Sequence, residues 1–211
     1  MKQLLFKEFK LAVHPTNYIF LACGALLLIP TWPYYVAFFY TTLALFFIFL
    51  TGRENNDVLF SALLPVKKSD IVRARCAVFA IFEVASVVLS LPFVALRRII
   101  IPEPSYLTDC NVAFFGLVFV MYALFNAIFI PHFYRTAHKI NYVVPCIAIF
   151  VFILIAEALV FFPVIGPYLD AVSPSGMLAQ LPVLIGGIAV FALGMLFTCR
   201  KAIANFEKVD L

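Results

Sequence analysis

The chain has 211 residues, of which 65% are apolar and only 12% charged, with a formal net charge of +4. A soluble domain carries about 25% charged residues, so this composition excludes a cytosolic enzyme, a secreted disulfide scaffold and a disordered chain. An integral membrane protein remains. At about 20 residues per helical span it has no room for a separate soluble catalytic or nucleotide-binding domain.

Residues 2–14 read as an amphipathic interfacial helix. Gln3, Lys7, Lys10 and His14 share one face and Leu5, Phe6, Phe9, Ala12 and Val13 the other, a pattern that turns lysines toward headgroups. Tyr18 to Leu50 is 33 residues without a charge. One helix of that length would reach about 50 Å, against a hydrocarbon core of about 30 Å. Pro30 and Pro33 flank Trp32 near its middle. Proline breaks helices and tryptophan prefers the interface, so the stretch divides into spans at about 16–32 and 34–50. No small-x-small cleavage site follows the first, which reads as a retained span. Further spans fall at about 76–96, 112–131, 142–163 and 181–199. A loop rich in proline and glycine precedes the last, with Ser173-Pro174 placed to cap a short helix. The fold class is all-α, six transmembrane helices in a single domain.

Six spans put both termini on one side. That side receives thirteen of the Lys and Arg residues, the other only Arg97 and Arg98. By the positive-inside rule both termini are cytoplasmic. Five cysteines include no Cys-x-x-Cys pair. Four read as small core hydrophobes, while Cys110, in a polar connection, reads as an accessible thiol. His14, His132 and His138 lack partners spaced for a metal. There is no phosphate-binding Gly-x-x-x-x-Gly-Lys loop and no nucleophile elbow, and nothing points to nucleic acid. The 25 phenylalanines are expected mostly to face lipid.

Two carboxylates lie within spans, Glu83 and Glu157. A charge at mid-membrane costs about 2.5–3.5 kcal/mol, and such groups face a bundle interior or a wet cavity. With Asn126, a candidate interhelical hydrogen-bond donor, they are candidate residues of a substrate path, or else structural groups bonded to a neighbouring helix.

The segment 52–75 is the most informative. Glu54 and Asp57 precede a short apolar stretch containing Leu59, Phe60, Leu63 and Leu64, which Pro65 stops. The stretch is too short to span and too apolar for water, so it either lies on the membrane surface or docks to a cytoplasmic partner. An acidic residue after span 2, a leucine-rich turn ending Leu-Pro-Val, then Ile-Val-x-Ala-Arg, resembles the permeases of type-2 ABC exporters, among them exporters of peptide toxins of the phenol-soluble modulin kind. The layout of the whole chain is similar to theirs. The resemblance implies that Glu54 to Pro65 forms a coupling helix docking into a separate ABC ATPase. It also implies that a second permease copy, as a homodimer, completes a two-plus-two complex in the plasma membrane of a bacterial cell. ATP and Mg²⁺ would be bound by the partner, with no cofactor in this chain. The cargo would be amphipathic or antimicrobial peptides or drugs, moved outward. The alternatives are a small-molecule-binding subunit of a vitamin uptake system and a standalone membrane immunity protein.

Overall fold

A computed structural model describes residues 2–63, 65–101, 105, 107–136 and 139–209. No strand occurs among them. Helix α1 (Lys2–Lys7) continues as a π turn over Glu8–Ala12. The chain then bends by 91° into α2 (Pro15–Leu21), which tightens into a 3₁₀ segment over Ala22–Leu28. The bend is sequence-encoded: Pro15 starts α2 and the His14 ring accepts from the Thr16 amide at 3.3 Å. There follow α3 (Tyr34–Glu54), α4 (Asp57–Leu63), α5 (Lys68–Ile100), α6 (Val112–Thr136), α7 (Val143–Val160), α8 (Gly166–Leu169), α9 (Pro174–Ala179) and α10 (Leu181–Glu207).

Among the described residues, five helices are long and apolar enough to cross a membrane, six if the bent N-terminal pair is one span. Residues 15–28 reach about 24 Å, because the 3₁₀ turn gains about 2.0 Å per residue against 1.5 for α. Two contacts fix where that element runs. Lys7, before it, meets Asp57 at the start of α4. Pro30, after it, accepts from Ser105 in the connection between α5 and α6. The short element therefore runs from the α4 end of the bundle to the opposite end, and α3 returns. Gly24 lets it press on α5, since a Cβ there would sit 3.3 Å from Ser90.

The helices outrun the expected spans. α5 begins at Lys68, where hydropathy suggested Cys76, and α10 continues through Arg200 and Lys201 to Glu207. Helical hydrogen bonding does not stop where lipid does. Ser173 caps α9 by accepting from the Gly176 amide at 3.1 Å, as the Ser-Pro pair indicates.

The core lies between α3, α5 and α6 and is aromatic. Phe49 packs against Phe79, Phe129 and Phe133 at ring distances of 5.3, 5.2 and 4.2 Å. Twelve phenylalanines are buried and six exposed, which corrects the expectation that most face lipid. Phenylalanine here fills the wide gaps between helices. α6 and α10 run parallel and nearly touch: a Cβ on Gly116 would lie 2.6 Å from the Val183 carbonyl oxygen, and one on Gly187 would overlap the Gly116 carbonyl. Seven residues on, Gly194 repeats the approach against Ala123, at 3.2 Å. Small residues at helix crossings are how membrane helices gain close packing where no hydrophobic force exists between them.

Candidate functional site

The most unusual chemistry lies at the α4 end. α3 finishes with Glu54, and Asn55 and Asn56 make the turn into α4. Asn56 has φ of 50°, the left-handed conformation that asparagine tolerates better than most residues. Its carbonyl accepts from the Phe60 amide at 2.9 Å, opening α4. The turn folds α4 back so that Asp57 faces inward. Lys7 Nζ lies 2.5 Å from Asp57 Oδ1 and 2.6 Å from Ser61 Oγ. Arg75 Nη2 lies 2.5 Å from Asp57 Oδ2, and Arg75 Nε meets Glu8 Oε2. The guanidinium also sits over the Phe49 ring at 5.2 Å. Gly52 makes space for it, because a Cβ there would lie 3.3 Å from Arg75 Nη1.

Two cations and two carboxylates thus join α1, α4 and α5. Glu8 is 1% and Arg75 2% exposed. Burial alone would raise the Asp57 carboxyl, but the Arg75 guanidinium and the Lys7 ammonium outweigh it and hold Asp57 below its ordinary value. The other face of α4 is bare. Val58 and Ser61 are buried, while Phe60 is 56% and Leu63 80% exposed. α4 is therefore a short rod pinned on one side by ion pairs and presenting an apolar face on the other.

A family model described as ABC-2 family transporter protein matches residues 3–202. The chain belongs to the ABC-2 transporter family. No curated protein and no solved structure matches it. As an ABC-2 protein it is a multi-pass membrane permease whose ATPase is a separate subunit.

The candidate residues of this permease fall in three places. Glu54 closes α3 and is exposed, so it lies before the first turn of α4 and not within it. Asp57 opens α4, with both oxygens on cations of its own chain. Pro65 lies beyond the helix and is exposed. The Leu59 side chain and Leu64 are outside the described residues. Within the bundle, Glu83 is fully buried, and Asn126 Nδ2 lies 2.9 Å from each of its carboxylate oxygens, bridging α5 to α6. One turn on, Ser86 Oγ lies 2.8 Å from the Tyr122 hydroxyl. Glu157 sits far from these, in the last turn of α7, accepting from the Thr108 amide and hydroxyl at 3.2 and 2.8 Å.

Lys7, Glu8, Ser61 and Arg75 are additions to the sequence reading. Lys7, read as turned toward headgroups, reaches inward. The readable signal was Glu8, an acid on the apolar side of α1 between Leu5 and Ala12. Cys110 is also corrected. It is 2% exposed, and burial pushes its thiol up, so it is not an accessible thiol. The connection that holds it is well bonded. Arg97 pairs with Asp109 at 3.1 Å, and Arg98 Nη2 donates to the Cys110 carbonyl at 2.9 Å. The Gln180 side chain donates to the Tyr168 and Ala171 carbonyls and accepts from the Ala113 amide.

Proposed function

We propose that this permease is the membrane half of an ATP-driven exporter of amphipathic or antimicrobial peptides or drugs. It works in the plasma membrane as a homodimer with two ATPase subunits that bind ATP and Mg²⁺. Its termini and α4 are cytoplasmic, and α4 is the helix on which the ATPase docks. The observation that carries this reading is the two-sidedness of α4. Burying Phe60 and Leu63 is worth about 1.5–3 kcal/mol each, energy that a groove on a partner can use. The ion pairs on the other side make α4 move with α1 and α5. A push on α4 is thereby delivered to the start of a 33-residue helix that crosses the bundle. A twofold pair supplies two docking sites and encloses a path that one six-span bundle does not.

Phe60→Ala with Leu63→Ala is expected to leave the permease inserted and dimeric, release the ATPase in pull-down, and abolish transport-coupled hydrolysis in proteoliposomes. Unchanged association and unchanged coupling would make α4 a membrane-surface element and remove the docking role. In this reading Glu83, Asn126 and Glu157 contact cargo only when the helices they now join move apart. Glu83→Gln is then expected to keep assembly but lose transport. A silent Glu83→Gln would leave the residue a helix-joining group only.

A further inference from the structure

At the same end of the bundle, α6 and α10 diverge around a pocket of about 420 Å³. Its rim is basic: His132 and Arg135 stand one turn apart on α6, and Lys201 comes from α10. All three are exposed. Among the described residues no ion pair engages them, and no carboxylate lines the pocket. Asn205 braces the mouth by donating to the Pro131 carbonyl at 2.8 Å. Pro131 brings no N–H to the carbonyl of Ala127, one turn deeper, and Ala127 also lines the pocket. Two cations and an imidazole beside a backbone acceptor left without its helical partner suit a phosphate that carries a hydroxylated group.

The position selects the source of that phosphate. Phe197, 62% exposed, lies one turn deeper than Lys201 on α10, with the Lys201 ammonium 5.9 Å from its ring centre. Next to it Leu196 is 60% exposed. The basic rim therefore tops an apolar, lipid-facing wall, at the level where two transmembrane helices leave the membrane. Basic pockets between helices at that level hold anionic headgroups.

We infer that the pocket between the ends of α6 and α10 binds an anionic phospholipid with a glycerol headgroup. His132, Arg135 and Lys201 hold the phosphate, and the acyl chains lie along Phe197. The lipid bridges the two helices whose backbones already meet at Gly116 and Gly187. This inference stands apart from the choice of cargo and from the docking role of α4.

The test is native mass spectrometry of the full chain titrated with phosphatidylglycerol or phosphatidylcholine of identical acyl chains, with glycerol 3-phosphate as a headgroup-only competitor. The wild-type protein is expected to retain phosphatidylglycerol with a preference of roughly tenfold or more. Arg135→Gln with Lys201→Gln should lose that preference. Arg135→Lys with Lys201→Arg should keep it. Lys2→Gln with Lys10→Gln, which removes the same charge from exposed positions, should leave it intact. Equal retention of the two lipids by the wild type overturns the site, and this arm needs no variant to fold. A preference that survives in the Arg135/Lys201 double glutamine variant overturns the assignment of residues. Full displacement by equimolar glycerol 3-phosphate would make this a site for a soluble phosphate and overturn the lipid.

Discussion

Arg75 holds two carboxylates that would otherwise repel each other in a place closed to water. Removing one partner of a buried ion pair costs about 3–5 kcal/mol, because the remaining charge stays buried and unpaired. Arg75→Gln is therefore expected to lower unfolding stability in detergent by that amount. Combined with Asp57→Asn it should cost less than the sum of the two changes, the coupling falling within about 0.5–3 kcal/mol for groups in contact. The pH dependence has a definite sign. The folded protein holds Asp57 below its ordinary value, so the stability it contributes is present above the ordinary carboxylate value of about 3.9. That stability is lost as pH falls through the lower folded value. An acid titration should show this loss in the wild type and a reduced one in Asp57→Asn. Part of this was legible. Glu8 is the sole acid in the first 53 residues and lies on the apolar side of its helix, so a buried partner was implied. That the partner is Arg75 was not readable, because the pairing depends on how α1 folds back after the 91° bend.

Hydropathy located the elements but not their ends, since an apolar run marks what lipid covers and a helix continues as long as its backbone bonds do. α5 takes in Lys68 to Arg75 for that reason, and the extra two turns are what carry Arg75 to Asp57. The pairing of α6 with α10 was half legible. Glycines at 187 and 194 and small residues at 116 and 123 share a seven-residue spacing, but only the structure shows which face meets which. The consequence is sharp because two neighbouring glycines differ. A methyl group at Gly187 would run into the backbone carbonyl of Gly116, which cannot rotate away, whereas at Gly186 it would meet nothing within 4 Å. Overpacking costs about 1–3 kcal/mol and sometimes more, while glycine to alanine in an open helix position gains about 1 kcal/mol. Gly187→Ala should thus lower the melting temperature of the purified permease and Gly186→Ala raise it slightly. Equal effects at both positions would mean that α6 and α10 are not in backbone contact.

The largest question of whole-molecule layout is whether residues 15–28 cross the membrane, for at about 24 Å they fall short of a core of about 30 Å. Two contacts argue that they do. Lys7 is bonded to α4, and Pro30 is bonded to the connection between α5 and α6 at the other end. A short element bridging the two ends is compatible with local thinning of the bilayer, at a fraction of a kcal/mol per Å of mismatch. Beyond it the chain turns at once, the Trp32 amide donating to the Ile29 carbonyl at 3.1 Å. The crossing puts Lys2 and Leu63 on one side, with α2 and α3 between them, and Val164 on the other, three helices beyond Leu63. In the proposed orientation the first side is cytoplasmic, the expectation that the thirteen-to-two division of basic residues carries. All three positions are exposed, Leu63 by 80% and Val164 by 85%. Single cysteines at 2, 63 and 164 in a cysteine-free background should therefore respond differently to a membrane-impermeant thiol reagent. Position 164 should be labelled on intact cells, and positions 2 and 63 only after permeabilisation. Position 63 should then be protected by the bound ATPase. Labelling of position 2 from outside with position 63 still shielded would mean that residues 15–28 turn back within the membrane, leaving five crossings. The full inverse pattern would place α4 outside, where no ATPase could reach Phe60 and Leu63.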